Sequence, residues 1–311
     1  MILLKSTQWS SDLFLLIVAA VWGISFVLTK NTLAEVTPLA FVFCRFAIAF
    51  VSMIALSWKW LKKLTLRVVK HGIAQGLMLL IGIVLQVMGL GHTTASNAAF
   101  ITGLSVVFVP IFSSLLQKKL PGICSVAGVI LSFVGLFFLS GGMEGFRSGI
   151  NPGDIFCLIG SLGFSFHIIL VDRLSEPDDF SLQTLFQVLT VLLGSGIAFA
   201  FSGESLPICR PVAAGVLFWT GIVGTAVAYT VQNWAQRNTN PTHTAMIVAA
   251  EPVFGVLFAA IIPGISGNTE RLTLSGALGC AGILIAILIT EAGPGILQKL
   301  RKKDENANHA I

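Results

Sequence analysis

Ten apolar runs, each about as long as a bilayer is thick, succeed one another along this chain and leave little else. They cover approximately residues 12–30, 37–57, 71–91, 96–117, 121–140, 152–171, 182–201, 211–234, 241–262 and 272–290. About 20 apolar residues wound as a helix cross a hydrocarbon core of ~30 Å, and a spanning segment must satisfy its own backbone hydrogen bonds. The runs therefore predict an all-α membrane protein with ten transmembrane helices. Such helices use roughly 200 residues of the 311, so no extramembrane domain of ordinary size fits. Composition agrees: 55% of residues are hydrophobic and 11% charged, against about 25% charged in a soluble protein, and the mean hydropathy is +0.90. This excludes a receptor with a large sensor domain, a membrane-anchored soluble enzyme and a secreted disulfide scaffold. The five cysteines, Cys44, Cys124, Cys157, Cys209 and Cys280, are odd in number and scattered, which suits neither a disulfide framework nor a metal site. No cofactor is expected. The first run is too long for a signal-peptide core and has one basic residue before it, so it reads as a span.

The placement of charge sets the orientation. With the N-terminus inside, the cytoplasmic segments hold Lys5, then Lys59, Lys62, Lys63, Arg67 and Lys70, then Lys118 and Lys119, Arg173, Arg237, and Lys299, Arg301, Lys302 and Lys303. Only Lys30, Arg147, Arg210 and Arg271 fall outside, and Arg45 lies within a span. That bias predicts cytoplasmic N- and C-termini and an even number of spans. After the sixth span Asp172, Glu176, Asp178 and Asp179 outnumber Arg173, but acidic residues count little in this rule.

An internal repeat appears when the halves are laid side by side. The run Asp12 to Ile17 at the start of span one matches Asp154 to Ile159 at the start of span six. Gln86 in span three matches Gln232 in span eight, and Gly128, Ser132 and Gly135 match Ser275, Gly279 and Gly282 at the same spacing. Five spans is an odd number, so the second copy is inverted relative to the first. The expected organisation is a first five-helix repeat over 1–145, an inverted second over 146–291, and a basic cytoplasmic tail over 292–311. Inverted repeats build a site near the bilayer midplane and rock around it, as secondary transporters do.

Several local patterns resemble those of the EamA-type transporters of the drug/metabolite transporter superfamily. They are Trp22-Gly23 with Phe26 in span one, Pro38-Leu39-Ala40 followed by Arg45-Phe46 in span two, Asn97 to Leu104 with Pro110 in span four, and Glu251-Pro252-Val253-Phe254 in span nine. The chain departs from the family in having Lys118 and Lys119 where a "G-E" is usual after span four, although Glu270 fits the second copy, and Phe164 where span six commonly has tryptophan. The resemblance implies a ten-helix inverted-repeat carrier with a central cavity, moving amino acids, metabolites or drugs.

Two charges lie at depth. Arg45 sits about 10 Å into its span, counted at ~1.5 Å per residue, and an intramembrane arginine marks a functional site unless it serves as an internal clamp. Glu251 lies roughly 15 Å into span nine, before Pro252, which removes the backbone donor for the Val248 carbonyl and breaks the helix. A carboxyl beside a broken turn is a candidate for a substrate amine or for proton coupling. Among the aromatics Trp22, Phe26, Phe100, Phe164, Phe166, Tyr229 and Trp234, the pair Trp22 and Tyr229 stands out because each has a polar handle in mid-span. His167 is a second proton-coupling candidate, and His243 opens span nine. Gln75, Gln86, Asn97, Gln187, Gln232 and Asn233 are uncharged donors and acceptors, of which Gln86, Asn97, Gln232 and Asn233 are the cavity candidates. The predicted substrate-binding set is Trp22, Arg45, Gln86, Asn97, Phe100, His167, Tyr229, Gln232, Asn233 and Glu251. The small-residue stripes are expected to pack helices, either within one chain or between two copies.

These features predict secondary active transport of a small amphipathic metabolite across the bacterial inner membrane, driven by a proton or a counter-substrate. The expected partners are that small molecule and the lipid bilayer, with no nucleic acid, in a monomer or homodimer. The absence of a Walker A sequence argues against direct ATP coupling. An enzyme acting on a lipid or polyisoprenoid-type substrate is a rival of another class, weakened because neither H-E-x-x-H nor G-x-S-x-G occurs. A channel is the third reading.

Overall fold

The computed structural model describes residues 8–93, 95–143, 151–175, 179–206, 210–262 and 273–308, without the side chains of 95, 96, 291 and 294–308. Lys5, Arg147, Glu176, Asp178, Cys209, Glu270 and Arg271, and the side chains of the basic tail, lie outside the described residues. The described residues contain helices and no strand. Eight helical segments are long and apolar enough to cross a membrane, and Ile123–Leu139 and Leu274–Thr290 are shorter apolar helices. The protein is a multi-pass, all-helical membrane protein.

The first half comprises α1 (Gln8–Thr32), α2 (Pro38–Ser57), α3 (Leu66–His92), α4 (Ala95–Gly103), α5 (Ser105–Gln117) and α6 (Ile123–Leu139). The second comprises α7 (Pro152–Leu174), α8 (Phe180–Ser202), α9 (Pro211–Gly221), a π-helical turn (Ile222–Val227), α10 (Ala228–Ala235), α11 (Pro241–Val248), α12 (Glu251–Ala259) and α13 (Leu274–Asn308). Proline begins α2, α7, α9 and α11, where its missing N–H would have had no helical partner. Asn151 and Asp154 close a reciprocal capping box on α7, at 3.2 and 3.0 Å, and the Asn240 side chain accepts from the His243 N–H at the start of α11. The tail does not separate from the last apolar run: α13 continues through it to Asn308.

Three of the apolar runs are not continuous α-helices. Run 96–117 breaks at Leu104 into α4 and α5, run 241–262 breaks at Ala249–Ala250 into α11 and α12, and run 211–234 contains the π-helical turn. The break before α12 has the cause that Pro252 announces. At Leu104 there is no proline two residues on, yet the backbone closes the same kind of tight bond, from the Leu104 N–H to the Ile101 carbonyl (3.2 Å), as from the Ala250 N–H to the Ile247 carbonyl (3.0 Å) at the other break.

Helix packing crosses between the halves. α1 lies on α9, α10 and α12, whereas α7 lies on α3, α4 and α5; α2 packs on α8, and α6 on α13. The two small-residue stripes meet within the chain. A Cβ on Gly279 would stand 2.6 Å from the Gly135 carbonyl and 2.5 Å from the Leu139 N, so α6 and α13 touch backbone to backbone, as small residues permit in a bilayer. At Gly23 the same closeness brings α1 against the Glu251 carbonyl, 2.8 Å from an added Cβ. This seats Trp22 beside the break in front of α12.

Candidate functional site

A cavity of about 170 Å³ runs into the middle of the bundle. Its rim is made by helix ends that share one side: Lys30 and Asn31 on α1, Leu90 on α3, Leu139 on α6 and Ala259 on α12. Its inner wall reaches Arg45, His167, Tyr229, Gln232 and Glu251. Among the described residues none from the opposite ends of these helices lines it, so the cavity occupies one half of the bundle. Both helix breaks face it, through Thr102, Gly103 and Ser105 on one side and through Val248, Ala249, Glu251 and Pro252 on the other. Broken helices at midplane depth are tolerated where they line a cavity or are buried in protein.

Arg45 is held by the π-helical turn. Its Nε donates to the Thr225 hydroxyl at 2.7 Å and its Nη2 to the Gly224 carbonyl at 3.2 Å. Thr225 in turn donates to the Thr220 carbonyl, five residues back, at 2.8 Å. The Gly224 carbonyl also accepts from Trp22 Nε1 at 2.9 Å, so the wide turn supplies one acceptor to two helices. The third guanidinium nitrogen, Nη1, makes no hydrogen bond among the described residues, although Arg45 is only 5% exposed. Such turns occur disproportionately at functional sites, and a guanidinium edge without a partner suits a planar oxyanion.

No direct ion pair joins Arg45 to Glu251 among the described residues, and Trp22 bonds Gly224 rather than Glu251. Glu251 opens α12, where the helix dipole favours a carboxylate. Aromatic rings form a row across three helices: Trp22 to Tyr229 at 5.2 Å, and Tyr229 to His167 at 5.8 Å, edge-on at 86°. Lys30 stands at the rim, half-buried, donating to the Leu90 and Thr93 carbonyls at 2.7 and 3.3 Å.

The sequence-derived candidates divide in two groups. Trp22, Arg45, Gln86, His167, Tyr229, Gln232 and Glu251 line the cavity, with Phe26, Phe164 and Pro252. Asn97, Phe100 and Asn233 do not. Asn233 donates to the Thr184 hydroxyl at 2.6 Å, Phe100 packs on Phe133 and Phe137, and Asn97 is buried. Phe166 stacks on Phe112, and Trp234 meets Phe14 edge-on. Sequence reasoning missed Gly224 and Thr225, the break at Leu104, and Lys30 as a wall residue. The spacing of Gly221 and Gly224 was the one available sign that another backbone lies against that helix.

Beyond the cavity the bundle is closed by polar groups bonded to protein. His243 Nε2 meets Asp12 Oδ1 at 2.9 Å, tying α11 to α1. Gln236 Nε2 donates to the Ile168 carbonyl at 3.1 Å, and Gln183 Nε2 to the Leu174 carbonyl at 3.0 Å. The open end has its own tie between the halves, from the Thr93 hydroxyl to Asp154 Oδ1 at 2.6 Å.

Comparison with known proteins agrees with this architecture. The EamA-like transporter family matches twice, over residues 9–141 and 151–291. An uncharacterized transporter of Archaeoglobus fulgidus is 33% identical over 279 residues, covering 90% of this chain and 85% of the relative. A second uncharacterized transporter of that organism is 28% identical over 260 residues, covering 80% of this chain and 88% of its own. A crystal structure with 19% sequence identity superposes with a TM-score of 0.73, covering 90% of this chain and 98% of the other; at that identity the likeness concerns the fold alone. The two matches to one family model, one in each half, make this chain a member of the EamA-like transporter family.

Proposed function

We propose that the protein is a secondary active transporter that moves a small amphipathic metabolite, an amino acid or a derivative before other classes, across the inner membrane by alternating access. The observation that carries this reading is a mostly apolar cavity, set with a few charged and polar side chains, that among the described residues reaches mid-bundle from one end and is walled by both broken helices. Ten spans arranged as two inverted five-helix copies account for the way α1 and α7 each pack on the opposite half. With both termini cytoplasmic, the open end faces outward. The free Nη1 edge of Arg45 takes a carboxylate. Glu251 takes an amine or a proton, and Trp22, Tyr229 and Phe164 hold the apolar body. A proton or a counter-substrate drives the cycle, and one chain carries the whole cavity.

The test is uptake by purified protein in proteoliposomes, with a panel of labelled amino acids, nucleotide-linked metabolites and lipophilic cations, with and without a pH gradient. A zwitterion should be taken up, and Glu251→Gln should remove the dependence on the gradient. Uptake and pH dependence both unchanged in Glu251→Gln would refute the role of that carboxyl.

A further inference from the structure

Behind the cavity wall, three buried side chains from three helices form a hydrogen-bonded line whose direction is fixed by its end. The Leu170 carbonyl can only accept, so Gln75 turns its Nε2 toward it at 3.4 Å and toward the Ser175 hydroxyl at 3.5 Å. That leaves Gln75 Oε1 to accept from Gln187 Nε2, at 2.7 Å. Gln187 Oε1 then faces His167 Nε2 at 3.0 Å. An amide oxygen has no hydrogen to give, so Nε2 must carry one, and in the neutral ring Nδ1 is the acceptor. Gln75 and Gln187 are both fully buried. The helices that carry them touch at Gly76, where a Cβ would stand 2.9 Å from the Gln187 backbone.

His167 lines the cavity and Gln187 does not. Its Nε2 is therefore engaged behind the wall, while Nδ1 makes no hydrogen bond among the described residues. The ring is also steadied by Tyr229, edge-on. One turn along from Tyr229, the Gln232 amide oxygen is buried without a partner, on another wall residue. The Gln232 oxygen is thus a buried acceptor with nothing among the described residues to donate to it, which is costly unless a ligand or water satisfies it, and His167 Nδ1 is a second acceptor with no hydrogen bond among the described residues.

We propose that Gln187 and Gln75 are positioning residues that lock His167 with its proton on Nε2, presenting Nδ1 to the cavity as the acceptor for an N–H or O–H donor of the transported molecule. The chemical class is a group with polar hydrogens, such as a primary ammonium or a hydroxyl, rather than a quaternary or purely apolar one. This rests on reading the cavity as the substrate site, but the first half of its test needs no transport.

That test is ¹⁵N spectroscopy of the histidine rings in the full chain, labelled at histidine and held in lipid nanodiscs at a pH where the ring is neutral. His167 is identified by its through-space contact with Tyr229, the single tyrosine of the chain. The expected pattern is a protonated Nε2 and a bare Nδ1, replaced by a mixture of tautomers in Gln187→Leu. A proton on Nδ1 in the wild-type ring would overturn the lock, and so would a tautomer mixture that Gln187→Leu leaves unaltered. Methylammonium and tetramethylammonium chloride are then titrated as probes of equal charge, only the first having N–H donors. Methylammonium alone should shift the Nδ1 resonance. Equal shifts with both, or none with either, would overturn the donor subsite while leaving the transport reading to its own experiment.

Discussion

Arg45 and Gln187 occupy the eighth residue of α2 and of α8, two helices that pack on each other. Each sends a buried side chain to neighbouring helices. Arg45 reaches the π-helical turn between α9 and α10, and Gln187 joins α3 to α7. The frame is alike and the chemistry is not. A guanidinium with one free edge faces the cavity on one side, whereas a neutral amide with all its described bonds inside the protein stands on the other. The comparison teaches that this bundle takes a charge where the backbone widens to supply acceptors, and keeps a neutral group where it stays regular.

Four substitutions break or sharpen that contrast. The largest effect is expected of Gln187→Arg, which puts a charge where no widened turn exists to receive it. An unpaired buried charge costs several kcal/mol, so folded protein recovered from membranes should fall severely while Gln187→Leu is still recovered. Next is Arg45→Gln. The Thr225 hydroxyl still donates to Thr220 and the Gly224 carbonyl still accepts from Trp22, so nothing buried is orphaned and the protein should fold. At about 1.5–3 kcal/mol for a charge-assisted bond, affinity for carboxylate-bearing substrates should drop roughly 10- to 150-fold, read as competition in proteoliposome uptake.

Thr225→Val comes third. It removes one of the two anchors of Arg45 and leaves the other, so the guanidinium is less well aimed; about 1 kcal/mol, or a several-fold rise in the half-saturating substrate concentration, is expected at unchanged expression. The smallest effect belongs to Lys30→Gln at the rim. A half-exposed cation contributes about 0.2–1 kcal/mol and is screened by salt, so uptake of anionic compounds should slow modestly at low ionic strength and be unchanged at high.

Much of this layout could be read in the sequence because it depends on local signals. Apolar run length marked the membrane segments, prolines at the first helical position marked where α2, α7, α9 and α11 begin, and Pro252 marked the break in front of Glu251. The stripes Gly128, Ser132, Gly135 and Ser275, Gly279, Gly282 pointed to close helix packing, but only the folded chain reveals that they meet each other at Gly135 and Gly279. The break at Leu104 was hidden because Val106 stands where the second half has Pro252. The π-helical turn was hidden because one extra residue per turn leaves apolar content unaltered while rotating the rest of the helix by about 100°. That rotation matters for the site: phase alone could not decide between Gln232 and Asn233, and the structure gives the cavity Gln232 and turns Asn233 to Thr184. The line from His167 to Gln75 was out of reach because it joins residues separated by 20 and 112 positions.

The most direct test of the account is the sidedness of the cavity, which needs no knowledge of the substrate. In a background with the five native cysteines replaced, Ser105→Cys sits on the cavity wall and Thr184→Cys in the closed half. A membrane-impermeant thiol reagent applied to the outer face of cells should label Ser105→Cys readily and leave Thr184→Cys unlabelled. Equal labelling of the two positions from that face would contradict a cavity open at one end and closed at the other, and none at Ser105→Cys would contradict the proposed outward-facing opening.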